Sequence, residues 1–297
     1  MLSLTEKLLA TEWAASKGIT VIWVEHDRIG KWLRWNPWRS MLHRLSRLAT
    51  TVTVSELSRK IYLDLGWDPA KTVAIPNGID MKRFLGGKNE KATSYKLQAN
   101  SQQLRLACIS RLSPEKGVDL LIDALAFLPD VTLDIVGTGR DEEKIRRMID
   151  AMGKKESHIT LQGDVADQSR IRLFPSVKDL GAFYAEHDAL ILPSREHDPF
   201  GLVAAEAMFL GIPIIVTDAC GIAGYLKNDD DALVVRADSV NELINAIKKM
   251  QDPIVRETLA MHGKLTAEKA FSLKAMVDAY EKILEFGPCG SKDYLSL

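Results

Sequence analysis

At 297 residues the chain is long enough for one large core or two medium ones. Hydrophobic residues at 46% and charged residues at 27% exclude a disordered or fibrous chain and describe an ordinary globular protein. A net charge of −1 gives no global field for nucleic acid or membranes, so any such attraction has to be local.

In chain order, residues 3–17 read as a helix. Glu6 and Glu12 lie within this amphipathic stretch, which is not the pattern of a secretory signal. Ile19–Glu25 is a β-rich apolar run, and a basic, tryptophan-rich segment occupies 28–48. Short strands are expected at Thr51–Val54 and Val73–Ile75. Residues 85–103 crowd Gly, Asn, Ser and Gln together and read as a linker. Beyond it, apolar runs at 104–109, 131–136, 159–162, 188–192, 213–217 and 232–235 alternate with amphipathic segments near 117–128, 140–152, 176–186, 200–210, 221–227 and 239–251. Nearly continuous apolar strands separated by helices predict a doubly wound α/β domain, a parallel sheet covered on both faces that binds ligands beyond its strands' carboxyl ends. A last amphipathic helix is expected over 271–286. The domain reading is therefore a partial N-terminal lobe (1–84), a linker (85–103), a Rossmann-like ligand-binding domain (104–268) and a C-terminal helix and tail (269–297) folding back on the first lobe. Cys108, Cys220 and Cys289 lie far apart without metal-ligand spacing, which fits a reducing compartment. No run of eighteen apolar residues is present, and the expected location is the cytoplasm.

Three stretches carry the chemistry. In Leu192–Gly211, Asp198 and Pro199 precede an apolar-periodic segment, which reads as an N-cap followed by proline at the first helical position. The free N–H groups of Phe200, Gly201 and Leu202 would then form an anion site at the helix start. Glu206 follows among Ala and Met, where a carboxylate needs partners such as ribose hydroxyls. The plainer alternative is that Asp198 only caps and Glu206 pairs with a buried arginine. In the second stretch, Arg111 leaves the first strand of this domain and Lys116 is read as opening the next helix. Cations at a helix start make sense beside an anion such as a diphosphate, while the alternative is a surface arginine with Lys116 paired to Glu115 or Asp119. The third, Val136–Arg140, suggests a dinucleotide fingerprint but has Glu142 at the third glycine position. Gly137 and Gly139 are then read as nucleotide-proximal or as making a tight turn, and a nicotinamide-dependent oxidoreductase is disfavoured.

The order and spacing of these features resemble the retaining glycosyltransferases of family four, which have the GT-B fold of two facing Rossmann-like domains. The resemblance runs through IPNGID (75–80), RLSPEKGVDLLIDAL (111–125), LDIVGTGR (133–140), ITLQGDV (159–165) and HDALILPS…DPFGLVAAEAMFLGIPIIVTD (187–218). It implies that Arg111 and Lys116 hold a donor diphosphate and that Glu206, as the second acid of the E-x7-E motif, holds the donor ribose. It also implies that Asp198 stands where the first acid meets the donor sugar, and that His26 lies beside the transferred sugar. Three departures are visible. Asp198 is one methylene shorter than the usual glutamate, unless Glu196 serves out of register. Cys220–Gly224 lacks the acid of the family's Gly-Gly-x-x-Glu. The loop over 165–178 is longer than usual. Roughly the first third of a family member has no counterpart, so the N-terminal lobe is expected to be reduced.

The activity implied is retaining transfer of a sugar from a nucleotide-diphosphate donor to a glycan or lipid-linked acceptor, without a metal or other cofactor and with the leaving phosphate as base. The alternative is a catalytically incomplete nucleotide-sugar-binding subunit that needs a partner for the missing half. Residues 28–48 hold six Lys or Arg, three Trp and no acid, a composition suited to an anionic membrane surface. Tryptophans packed inward beneath a solvated basic face are the alternative, and no nucleic-acid partner is expected.

Overall fold

A computed structural model describes residues 1, 3–27, 33, 35–81, 103–157 and 170–287, without the side chains of 154–157. The expected linker, and the expected strand at 159–162, lie almost wholly or wholly outside these residues. The first lobe is a parallel sheet ordered β1-β2-β3, formed by Ile22–Glu25, Thr50–Thr53 and Thr72–Ala74. Helix α1 (Leu4–Ser16) starts from a capping box in which Ser3 and Glu6 satisfy each other's backbone N–H. It packs on the sheet through the Trp23 indole, which donates to Thr11 Oγ1 at 3.1 Å, and through a sheltered Lys7–Glu25 ion pair of 2.7 Å. Trp23, Leu45, Tyr62 and Trp67 fill the core together with helix α2 (Arg39–Ser46). Helix α3 (Glu56–Asp64), capped by Ser55, connects β2 to β3.

The second lobe is, among the described residues, a six-stranded parallel sheet ordered β6-β5-β4-β7-β8-β9. Its strands are β4 (Leu104–Ile109), β5 (Val131–Val136), β6 (Ile171–Phe174), β7 (Ala189–Leu192), β8 (Ile214–Thr217) and β9 (Leu233–Val235). Successive residues point into two different cores. Leu106, Cys108, Ala189 and Ile191 face one cluster, while Ala107, Leu190 and Leu192 face the other. That two-sided burial is why these strands are continuously apolar rather than alternating. Helices α4 (Val118–Leu125), α5 (Glu142–Ser157) and α8 (Val240–Met250) cover the first face. Helices α6 (Leu180–Ala185), α7 (Leu202–Phe209) and α9 (Pro253–Ala270) cover the second. The strand that pairs with β5 is Ile171–Phe174, inside the stretch expected to be an extended loop.

Helix α10 (Leu273–Phe286) returns to the first lobe, laying Met276, Ala279, Tyr280 and Ile283 against Val52, Val73 and Ile75. Backbone bonds from Ile79 N to the Phe271 carbonyl and from Leu273 N to the Ile79 carbonyl fix this crossing. The carboxyl ends of the two sheets face one another. Ser58, at the start of α3, meets His197 of the second lobe at 2.9 Å, and Ser55 lies close enough to Gly221 that a Cβ there would stand 2.5 Å from its Oγ.

Candidate functional site

Strand order reverses between β4 and β7, and the loops leaving those two strands bound the crevice that such a reversal creates. The loops are in backbone contact. Gly117 adopts φ 65°, and a Cβ there would lie 2.1 Å from the Pro193 carbonyl oxygen. Gly137 and Gly139 have a similar task. A Cβ on either would strike the carbonyl oxygen of Ser110 at 1.9 Å or of Leu112 at 2.1 Å, so these glycines let the loops after β4 and β5 stack. Leu112 N bonds the Thr138 carbonyl at 2.9 Å within that stack.

Lys116 does not open a helix. It ends a single 3-10 turn, Pro114–Lys116, and the left-handed Gly117 separates it from α4. The turn aims the lysine across the crevice, where Nζ meets Asp198 Oδ2 at 2.6 Å, with the two side chains only 17% and 10% exposed. Ser194 Oγ donates to the same carboxylate oxygen at 3.2 Å. Neighbouring charges are matched elsewhere: Arg195 with Asp119 and Asp238, Arg140 with Glu115, and Lys144 with Asp119. Arg111 stands exposed just beyond β4 and makes no ion pair among the described residues.

Asp198 is not the helix cap, and Pro199 is not the first helical residue. The chain stays extended through this stretch because Asp198 N bonds the Ala219 carbonyl and Gly221 N bonds the Asp198 carbonyl, each at 2.8 Å. The turn into α7 falls on Gly201, whose φ of 96° lies in the left-handed region open to glycine. Phe200 anchors that turn, buried edge-on against Phe271 with centroids 5.5 Å apart. The N–H groups of Phe200, Gly201 and Leu202 donate to no acceptor among the described residues, so the helix start remains a set of free donors.

Glu206 lies one turn into α7. Its Oε2 is sealed from solvent and has no hydrogen-bond partner among the described residues. Burial pushes this carboxyl up to about 7, against an opposing hydrogen bond from Tyr184. No arginine pairs with it among the described residues. Tyr184, fully buried on α6, also donates to the Val203 carbonyl at 3.1 Å. Among the described residues, no group of three or more His, Cys, Asp or Glu is arranged to hold a metal.

His26 is exposed at the carboxyl end of β1, on the edge of the small sheet that faces the second lobe, and it makes no hydrogen bond to Asp198, Lys116 or Arg111. The structure thus brings Lys116, Asp198 and Ser194 into direct contact, with the α7 start and Glu206 following Asp198 in the chain. Sequence alone does not point to Tyr184, Ser194 or the Ser58–His197 bridge. No spacing signals them, since each partner lies 4 to 139 positions away.

The family model for glycosyl transferases group 1 matches residues 89–265, and that for glycosyltransferase family 4 matches residues 6–83. A GDP-mannose-dependent monoacylated alpha-(1-6)-phosphatidylinositol monomannoside mannosyltransferase of Corynebacterium glutamicum is 30% identical over 72% of this chain and 56% of its own length. The lipopolysaccharide core biosynthesis glycosyltransferase LpsE of Rhizobium meliloti is 26% identical over 76% of this chain and 61% of its own. The chain therefore spans little more than half the length of these relatives. Among solved structures, Anabaena HepE in complex with UDP-glucose superposes with a TM-score of 0.75 at 21% identity, covering 95% of this chain and 76% of that one. WaaG, a glycosyltransferase involved in lipopolysaccharide biosynthesis, gives 0.63 at 19% identity over 90% and 75%. These likenesses show the fold, GT-B.

Proposed function

Because the chain belongs to the group 1 glycosyl transferases, we propose that it transfers a sugar from a nucleotide-diphosphate donor to a hydroxyl of a glycan or lipid-linked acceptor, with retention and without a metal. What supports this reading is the lysine bound to Asp198, followed in the chain by three backbone donors without acceptors and by a buried Glu206 oxygen without a partner among the described residues. As the glycosidic bond breaks, positive charge grows on the sugar ring and negative charge on the leaving diphosphate. Lys116, Arg111 and the α7 start would hold that negative charge in a site shielded from water. Glu206, half-buried as a residue, would accept the ribose hydroxyls. Asp198, held by Lys116 and Ser194, would face the sugar, and His26 would approach from the small lobe. The leaving phosphate is then the base for the acceptor hydroxyl.

Trp35 and Trp38 are 84% and 51% exposed, and Arg44 and Arg47 are also at the surface. This supports an anionic membrane surface as the place where a lipid-linked acceptor is met, with the protein peripheral on the cytoplasmic face. The first sheet, three-stranded among the described residues, is compatible with a second reading, a nucleotide-sugar-binding subunit completed by a partner. Donor turnover by the isolated chain separates the two. Calorimetry against UDP, GDP and ADP tests the shared core of both. Arg111→Ala is expected to weaken the preferred nucleotide roughly tenfold to a hundredfold, and an unchanged affinity would refute the diphosphate site.

A further inference from the structure

Arg195 follows Ser194 in the loop after β7 and reaches sideways into two other loops. Its Nε donates to Asp238 Oδ1 at 2.7 Å, its Nη1 to the Pro114 carbonyl at 2.8 Å and its Nη2 to both Asp119 oxygens at 3.2 Å. The backbone of the same loop adds two bonds, since the N–H groups of Arg195 and Glu196 both donate to the Glu115 carbonyl, at 2.9 and 3.2 Å. Asp238 meets the guanidinium from the left-handed region, at φ 56°, a conformation that aspartate tolerates. Resting on the reading of Lys116 as a holder of the donor diphosphate, we infer that Arg195 is a positioning residue: it clamps the Pro114–Lys116 turn, and through that turn it sets where the Lys116 ammonium stands.

The need for a clamp follows from the turn itself. A 3-10 turn has poorer hydrogen-bond geometry than an α-helix. Here its own bonds are Lys116 N to the Ser113 carbonyl at 2.9 Å and Gly117 N to the Pro114 carbonyl at 3.3 Å. Gly117, at φ 65°, breaks the path into α4, so the lysine is not carried by that helix. What holds the turn is the loop after β7, which takes up the carbonyls of Pro114 and Glu115, the two residues before Lys116. Asp119, in the first turn of α4, ties the far side of Gly117 to the same guanidinium. Arg195 therefore spans the glycine from both sides, with one planar fork that an ammonium cannot reproduce. Its own charge is matched by two carboxylates, Asp119 and Asp238, whereas Lys116 meets one carboxylate that it shares with Ser194. The phosphate is thus left to the lysine, and the arginine acts through it.

The test is a double-variant cycle read by calorimetry with UDP and GDP. Arg195→Met should weaken the nucleotide that the natural chain binds by about fivefold to tenfold, and by no more than Lys116→Met does. In the Lys116→Met background the same change should alter affinity by less than about twofold, because the clamp then has no ammonium left to position. Arg195→Lys keeps the charge but not the fork, and should weaken binding about as much as Arg195→Met. Equal losses in both backgrounds would mean that Arg195 acts independently of Lys116, and natural affinity in either Arg195 variant would mean that the fork is not needed; each result overturns the inference. Hydrogen exchange supplies a readout without nucleotide. The Lys116 and Gly117 amides should exchange about tenfold faster in Arg195→Lys while amides in the middle of α4 keep their rates, and unchanged rates at the turn would overturn the clamp. Failure of the natural chain to bind either nucleotide would instead refute the diphosphate site, and the exchange rates would still decide whether Arg195 holds the turn.

Discussion

The Lys116–Asp198 pair allows the sharpest perturbation, because its two halves should affect stability alike but ligand binding in opposite directions. The contact is 2.6 Å long and its side chains are 17% and 10% exposed. Removing one member of a buried pair costs about 3–5 kcal/mol by leaving the other unmatched, and a pair on a crevice wall belongs at the lower end. Lys116→Met leaves Asp198 with Ser194 alone, so a loss of about 3 kcal/mol is expected, roughly 6–12 °C in Tm for a domain of this size. Asp198→Asn should cost less, since the amide still accepts from Ser194. The double variant should be more stable than the sum of the two losses by about 1 kcal/mol or more. Binding separates them. Lys116→Met removes a cation and should weaken UDP at least about tenfold. Asp198→Asn removes a carboxylate from beside the diphosphate, worth about 0.5–1 kcal/mol at roughly 8 Å with strong screening, so UDP should bind about two- to fivefold more tightly even as sugar transfer fails. Thermal unfolding and calorimetry read both effects. Equal weakening of UDP by the two single variants would refute the placement of the diphosphate at this pair.

Three further outcomes follow from other parts of the molecule. Glu206 has a folded-state carboxyl raised to about 7 by burial, so its ionisation costs stability as pH rises from its unfolded value to 7; Glu206→Gln should gain about 2–3 kcal/mol at pH 8 and little at pH 4, read by thermal melts, while losing nucleotide affinity. Asp134 is pulled upward by burial, but hydrogen bonds from His187 and Arg172 outweigh this and hold it below its ordinary value. Its contribution is present above the unfolded carboxylate pKa of about 3.9 and lost as pH falls through the depressed folded value, so the penalty of Asp134→Asn at pH 7 should shrink in melts approaching pH 3. For the exposed tryptophans, replacing Trp35 and Trp38 with Ala should reduce co-sedimentation with anionic vesicles at low salt, and failure of the unaltered chain to bind such vesicles would end the membrane reading.

Much of the fold was legible because its strands are buried on both faces. Ala189–Leu192 and Ile214–Thr217 are apolar up to Thr217, and Leu104–Ile109 and Val131–Val136 are apolar apart from Arg105, Thr132 and Asp134, so these runs stand out from surface segments. The strand beside β5 was not, for a physical reason. Residues 159–162 and Ile171–Phe174 are both short β-prone runs, and Arg172 puts a charge into the latter where a core strand would be apolar. Only the structure reveals that Arg172 crosses to Asp134 on β5, which in turn bonds His187. Helix α9 is hard to read because apolar and charged residues are spread around it, with Ile254, Met261 and Leu265 exposed and Arg256 buried. At the site, the charged residues could be read from the sequence but their partners could not. Asp-Pro before a helix predicts a cap from local chemistry alone. Tertiary demand prevailed, because the Asp198 backbone is committed to Ala219 and Gly221 and its carboxylate to Lys116.

The two halves of the proposed site differ in how they are prepared for a ligand. On one side Lys116 and Asp198 satisfy each other, so their charges cost little while the site is empty, and the three N–H donors of the lysine allow it to take a phosphate oxygen without first releasing the carboxylate. On the other side the start of α7 and Glu206 have no such mutual solution. The donors at Phe200, Gly201 and Leu202 sit at the start of α7, where Gly201 makes the turn and Phe200 packs on Phe271, and the buried Oε2 of Glu206 lies one turn further in. Glu206 instead meets the cost by holding a proton near neutrality. A ligand that offers an anion at the helix start and two hydroxyl donors about one turn further in would satisfy both groups together, and a nucleoside diphosphate has that pattern. A lone phosphate would satisfy only the first.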